Sequence, residues 1–310
     1  MEKRIKVGVV GTGYLGSLHA RFYAGMPECE LAAVCDTNSD NLGKISRELG
    51  VPGTPDYRSL FGKVDAVSVC VPTQLHYQVA REFLEAGVHC LVEKPFTVSL
   101  AEADALNRLA MKKKLTLQVG HVERFNSAFA STQKYFHNPY FIECHRLSSF
   151  PNRSLDIGVV LDLMIHDIDI VLGLVNSPIK RIDAVGVNVL TPYEDIANAR
   201  ITFANGCVCN LTASRISDEV MRKIRIFLKD AYISLDYKNQ QAFIYRKTPE
   251  GISKEPLPIE KEQPLQKELA SFVDCVRNSH TPLVTGEVAR QALAVALQIR
   301  DQIWKRPLKF

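Results

Sequence analysis

Lys6-Val7-Gly8-Val9-Val10-Gly11-Thr12-Gly13-Tyr14-Leu15-Gly16 is the stretch on which the reading of this 310-residue chain turns. A valine-rich apolar run stops at Gly11, and an amphipathic stretch begins a few residues later. Glycines at 11, 13 and 16 suit a tight turn, close backbone approach to a pyrophosphate, and close packing of a helix on a strand. The free N–H groups and positive dipole end of the helix that opens there would receive the phosphates. Gly11, Thr12, Gly13, Tyr14, Leu15 and Gly16 are therefore candidate dinucleotide contacts. The glycine spacing alone is a weak signal; its strand–turn–helix context strengthens it, as does Asp36, 20 residues past Gly16 at the end of the next apolar run. A carboxylate there can bond the adenosine ribose hydroxyls and repels a 2′-phosphate. Thr37 and Asn38 bring no arginine to bind one, so the pattern favours NAD over NADP.

Working outward, short apolar runs at 5–10, 31–35, 66–71, 89–92 and 116–119 alternate with helical patterns at 15–24, 40–49, 74–86 and 100–111. Strands with little polar alternation belong to a parallel sheet covered on both faces. Residues 1–121 are thus expected to form an α/β Rossmann-fold N-terminal domain. The rhythm then changes. Helical patterns at 124–136 and 156–175 flank a strand at 141–147. Alternating strands follow at 182–190, 197–203, 207–213, 223–228, 232–235 and 242–245, and helices at 265–277 and 287–304 close the chain. A run of strands without helices predicts a C-terminal α+β domain over 122–310, with a large, mostly antiparallel open sheet. Its C-terminal helix is free to pack back on the first domain. Pro249, Pro256, Pro258 and Pro264 mark the stretch before the closing helices as a surface loop.

Composition bounds the function. Hydrophobic residues make up 46% and charged residues 23%, which excludes a disordered tail or a fibre. The net charge of +4 is spread along the chain and leaves no nucleic-acid footprint. Lys112-Lys113-Lys114 reads as a solvated helix end, where cations suit the dipole. No uncharged apolar run approaches the length of a membrane span, and no apolar segment follows the charged start as in a signal peptide. Eight cysteines without a CxxC pair, mostly in apolar strand-like runs, read as reduced thiols of a cytoplasmic protein and not as a zinc or disulfide framework.

Two further strand ends carry polar motifs, where open α/β sheets place ligands: Val71-Pro72-Thr73-Gln74-Leu75-His76 and Glu93-Lys94-Pro95. Pro72, Thr73, His76, Glu93 and Lys94 are therefore candidates beside the cofactor. Leu161-Asp162-Leu163-Met164-Ile165-His166-Asp167-Ile168-Asp169 reads as helix, with Leu161, Ile165, Ile168, Leu172 and Val175 as its apolar stripe. Asp162, His166 and Asp169 form a second stripe, so the Asp162 carboxylate can orient the His166 imidazole. Two ligands at this spacing can also grip a metal, but no third strong ligand is fixed locally. The pair is read as acid/base machinery, with no metal.

Taken together, Gly11 to Gly16, Pro72-Thr73 with His76, Glu93-Lys94-Pro95 and Asp162-x-x-x-His166 resemble the Gfo/Idh/MocA oxidoreductase family, along essentially the whole chain. The resemblance implies a Rossmann domain followed by an α+β domain whose open sheet forms a homodimer or homotetramer interface. It also implies a Lys and a His, with a nearby Asp, around the reacting sugar hydroxyl; those roles carry over to Lys94, His166 and Asp162. Val119-Gly120-His121-Val122-Glu123-Arg124-Phe125-Asn126 and Asn198-Ala199-Arg200-Ile201-Thr202-Phe203-Ala204-Asn205-Gly206 are similar, more narrowly, to bacterial UDP-N-acetylglucosamine 3-dehydrogenases, which feed lipid A synthesis. A nucleotide-sugar substrate would need cations for its diphosphate. Arg124 and Arg153 are the first candidates, with Arg215 and Arg222 behind them. Two other readings stay open. One is a dehydrogenase of free polyols such as inositol; the other is a dinucleotide-sensing regulator without turnover.

Overall fold

The computed structural model describes residues 4–150 and 156–305. The chain divides into two compact units, Met1–Val122 with Gln263–Arg290, and Glu123–Glu262 with Gln291–Phe310.

The first unit alternates β1 (Ile5–Val10), α1 (Tyr14–Gly25), β2 (Cys29–Cys35), α2 (Ser39–Leu49), β3 (Gly53–Thr54), β4 (Ala66–Val69), α3 (Thr73–Glu85), β5 (His89–Glu93), α4 (Leu100–Lys113) and β6 (Leu117–Gly120). Its strands pair in parallel in the order β3-β2-β1-β4-β5-β6, so the order reverses between β1 and β4, where such sheets open a ligand crevice. The near-absence of polar alternation is explained by burial, since β4 and β6 are buried at every position. Helix ends follow their local chemistry. The Asn38 side chain accepts from the N–H groups of Asp40 and Asn41 to start α2, and Ser99 caps α4 by accepting from Glu102. Lys112 and Lys113 fall in the last turn of α4, as the lysine triplet suggests.

In the second unit α5 (Ser127–Thr132) precedes β7 (Phe141–Leu147). A π turn (Val160–Met164) then runs into α6 (Ile165–Val175). β8 (Ile179–Val187), β9 (Ile196–Phe203), β10 (Val208–Ser214), β11 (Met221–Phe227), β12 (Ala231–Asp236), β13 (Gln241–Thr248) and β14 (Gly251–Pro256) follow. The eight-stranded sheet runs β14-β13-β12-β11-β7-β10-β9-β8, antiparallel throughout except for the β7–β10 pair. One face carries the buried residues Ile142, Cys144, Leu211, Ile224 and Ile233, and α6 packs on β10.

Four expectations need correction. The helix read over 124–136 is broken into 3-10 turns around the short α5, because the Asn126 side chain accepts from Ala128 N–H and restarts the helix there. The helix read over 156–175 begins instead as the π turn at Val160. The proline-marked loop contains β14, an exposed edge strand whose Pro256 lies at its end, where the missing N–H is tolerated. Finally, 122–310 is not one continuous domain. α7 (Pro264–Asn278) belongs to the first unit, where Leu269, Phe272 and Val273 join Val7, Val9, Tyr23 and Leu91 in one core. α8 (Gly286–Lys305) closes the chain, and its residues from Gln291 onward belong to the second unit. No helix among the described residues is long and apolar enough to cross a membrane.

Candidate cofactor and catalytic sites

The turn after β1 is built for backbone proximity. Gly11 has φ +88°, and a Cβ there would stand 2.6 Å from the Cys70 carbonyl oxygen, at the end of β4. A Cβ on Gly16 would meet the Gly11 oxygen at 1.7 Å, so any side chain would push α1 off the strand. At Gly13 the situation is opposite: nothing lies within 4 Å of its Cβ position. Among the described residues no side chain caps α1 there, and an uncapped helix start is what an anion site requires. Asp36 ends β2 with Oδ2 accepting from Thr12 N (2.6 Å) and Thr12 Oγ1 (3.0 Å), and Oδ1 from Asn38 N (2.8 Å). The turn thus orients the carboxylate that the ribose would meet. Thr12 itself is buried, so it acts through Asp36, whereas Tyr14 and Thr37 are exposed. Glycine cradle, open helix end and fixed carboxylate together fit a dinucleotide.

At the second strand end Pro72 is exposed and Thr73 half-buried at the start of α3, but His76 is buried. Its Nδ1 lies 2.9 Å from the Pro95 carbonyl oxygen and its Nε2 2.9 Å from that of Val71. Burial pushes the pKa of this ring down, against the pull of the two carbonyls. The sequence offers His76 as a cofactor contact; in the structure its ring instead braces the loop after β4 against the turn after β5.

Glu93 is likewise a support. Burial would raise its pKa, yet it is held below the usual carboxylate range because Oε1 meets His19 Nε2 at 3.1 Å and Oε2 accepts from Lys94 N at 3.2 Å. A Cβ on Gly120 would come within 3.0 Å of this carboxyl, so the glycine leaves the carboxyl its room. Lys94 is half-buried, and the Lys94–Pro95 peptide is cis. Sequence reading missed His19. Its signal was the spacing Gly16, His19, Ala20, Tyr23 along the buried face of α1.

In the second unit Asp162 stands in the π turn and His166 is the second residue of α6, both half-buried. The wider π winding alters the simple α spacing assumed for this pair, and such turns concentrate at functional sites. Just beyond them α6 is pinned by two arginines. Arg146 on β7 donates Nε and Nη2 to the two Asp167 oxygens (2.9 and 2.8 Å) and Nη1 to Glu123 (2.9 Å). Arg124 donates Nε and Nη2 to the Asp169 carboxylate (2.6 and 3.1 Å), and Gly173 leaves room for its guanidinium. Asp169, three residues after His166 on α6, is thereby held by Arg124. Of the arginines offered for a diphosphate, Arg124 is committed to Asp169 and Arg215 to Asp195; Arg222 is exposed on β11, and Arg153 lies outside the described residues.

Comparison with known proteins extends this picture. Residues 5–121 match the Gfo/Idh/MocA model described as an oxidoreductase family with an NAD-binding Rossmann fold, and residues 118–234 match a C-terminal domain model of the same family. The chain is 39% identical over 303 residues, 96% of either chain, to UDP-N-acetylglucosamine 3-dehydrogenase of Acidithiobacillus ferrooxidans. A solved structure of that enzyme superposes with a TM-score of 0.92 at 38% identity, covering 97% of this chain and 98% of the other. scyllo-Inositol 2-dehydrogenase (NAD(+)) of Bacillus subtilis is 28% identical over 309 residues, 92% of this chain and 90% of its own. Levoglucosan dehydrogenase in complex with NADH and levoglucosan shares the fold, with a TM-score of 0.88 at 19% identity over 98% of each chain.

Proposed function

The chain belongs to the Gfo/Idh/MocA oxidoreductase family, and from that premise we propose that it oxidises the C3 hydroxyl of UDP-N-acetylglucosamine to the ketone, using NAD. The observation that carries the substrate is the near-full-length 39% identity to an enzyme of that name, in a chain that keeps Lys94, Asp162 and His166. The bound nicotinamide would accept the hydride. Gly11, Gly13, Gly16 and the first turn of α1 hold its pyrophosphate in this reading, and Asp36, set by Thr12, holds the ribose.

Losing hydride from a carbinol that keeps its proton would create a high-energy oxocarbenium ion, so a base must take that proton. His166 is that base; an imidazole ordinarily titrates at about 6.5, suited to proton transfer near neutrality. Asp162 selects the competent tautomer and stabilises the imidazolium. Lys94 donates a hydrogen bond to the developing alkoxide, an effect of about 3 kcal/mol in comparable sites. For the diphosphate, Arg222, exposed on β11, is a better donor than Arg124 and Arg215, which already serve buried carboxylates, and Arg153 stays a candidate by sequence.

We assign the protein to the cytoplasm, a reading supported by eight free cysteines, and to a homodimer or homotetramer. The half-buried aromatic row Phe141, Phe227, Tyr232 and Tyr245, in ring-to-ring contact across β7, β11, β12 and β13, supports the sheet as the interface. Its ketone product would stand upstream of amino transfer toward lipid A.

NADH formation with UDP-N-acetylglucosamine tests the substrate. Turnover of free inositols with none of UDP-sugars would overturn it, as would a strong preference for NADP. Lys94→Ala and His166→Ala should each lower kcat by about a hundredfold or more with NAD binding retained. Near-wild-type turnover in both would refute the residue assignment.

A further inference from the structure

The segment between β8 and β9 grips the entry to the π turn. Glu194 is buried; Oε1 accepts from Val160 N at 3.3 Å, and Oε2 from Trp304 Nε1 at 3.3 Å. Its main-chain oxygen accepts from Val159 N at 3.0 Å. The next residue, Asp195, is fully buried and accepts at Oδ2 from Val189, Leu190 and Thr191 N–H (2.8, 2.6 and 2.9 Å), and at Oδ1 from Thr191 Oγ1 and Arg215 Nε (both 2.8 Å). Burial alone would raise the pKa of Asp195, but these donors hold it well below the usual carboxylate range, so it is a fixed anion. Arg215 then reaches back through Nη1 to the Ile157 carbonyl at 2.8 Å.

Gly158 completes the arrangement. Its φ is unexceptional, yet a Cβ there would lie 1.9 Å from Glu194 Oε1 and 2.4 Å from Oε2. The glycine is needed for room, because a buried carboxylate occupies the space of a side chain. The Gly158 carbonyl in turn accepts from Asp162 N at 3.0 Å. A continuous chain of contacts therefore runs from Arg215 and Glu194 through residues 157–160 to the backbone of Asp162. A carboxylate at a helix entry also gains from its unpaired N–H groups and dipole.

We propose that Glu194 is a positioning residue for the reaction: seated on the Asp195–Arg215 pair, it fixes the entry to the π turn and thereby where Asp162 and His166 stand. The proposal rests on the reading of Asp162 and His166 as the reacting pair. It predicts that Glu194→Ala lowers kcat about 10- to 100-fold, since displacements of about 1 Å are enough for that. The pH profile of kcat should shift, while the Kd for NAD stays unchanged. Gly158→Ala should show the same loss, because its methyl evicts the carboxylate. The double variant Gly158→Ala/Glu194→Ala should be no worse than Glu194→Ala alone.

Steady-state kinetics of these variants with NAD and UDP-N-acetylglucosamine decide it, together with hydrogen exchange over residues 157–166. Wild-type kcat and pH profile in Glu194→Ala, or multiplying losses in the double variant, overturn the proposal. If His166→Ala itself keeps full turnover, the catalytic reading is what fails. Faster exchange over 157–166 in Glu194→Ala would then still support the clamp, and unchanged exchange would remove it as well.

Discussion

Lys94 and His166 stand on supports of different kinds. Around Lys94 the restraints are mostly fit and bonds to the backbone: glycines that admit close backbone approach, His76 between two carbonyls, and the Glu93 carboxylate accepting the Lys94 N–H. Around His166 they are buried ion pairs: Arg146 with Asp167 and Glu123, Arg124 with Asp169, and Arg215 with Asp195. The first kind is written into short motifs, because a glycine or proline changes the backbone where it stands. The second depends on partners far apart in sequence and on the desolvation of both. It should therefore fail more abruptly when one partner is removed.

The sharpest way to break the contrast is Arg146→Met. It leaves Asp167 and Glu123 buried without their cation, and losing one partner of a buried pair costs about 3–5 kcal/mol. Urea denaturation should show that loss. Adding Asp167→Asn and Glu123→Gln should recover much of it, since a neutral site no longer needs the arginine. A loss below about 1 kcal/mol for the single variant would show that these pairs contribute no more than surface ones.

This difference also explains what could be read beforehand. The glycine turn, Asp36 and the alternation of strands and helices all lie within short windows, so the first sheet was legible strand by strand, the two-residue β3 excepted. α7 was not assigned to that unit, because an amphipathic stripe says that a helix packs without saying on what. Exposed β14 lacked apolar alternation altogether. Within the candidate site, Asp162 and His166 stood out by spacing. The π turn beneath them did not, since it depends on Glu194, 34 residues from Val160. Arg124 looked like a diphosphate donor only because nothing in its neighbourhood announced Asp169, 45 residues away.

A smaller effect probes the short-motif side of the comparison. Thr12→Val keeps shape and the Thr12 N–H bond to Asp36 but removes the hydroxyl bond of 3.0 Å. Loss of one such bond is worth about 1 kcal/mol, so the Kd for NAD should rise about fivefold in calorimetric titration, with kcat unchanged at saturating NAD. An unchanged Kd would mean that the backbone bond alone orients Asp36.

The smallest effect tests the two units through pH. Glu268 on α7 is fully buried, and neither carboxyl oxygen has a hydrogen-bond partner among the described residues, whereas Asp195 is surrounded by donors. Burial, and then repulsion from Glu93, raises the Glu268 pKa well above the ordinary value. The two groups therefore act with opposite sign. The low pKa of Asp195 stabilises the fold above the ordinary carboxylate pKa, and this is lost as pH falls below it. Glu268 keeps its proton in the folded chain and loses it on unfolding. Its contribution is complete below the ordinary pKa and is lost as pH rises toward the raised one. Glu268→Gln cannot release that proton. Denaturation of wild type and variant across a pH series should show the variant falling less steeply above about pH 5, while the acid limb governed by Asp195 stays as it was. Parallel curves would mean that Glu268 is ionised in the folded protein, with a donor supplied by solvent, and that the first unit carries a second buried carboxylate charge beside Glu93.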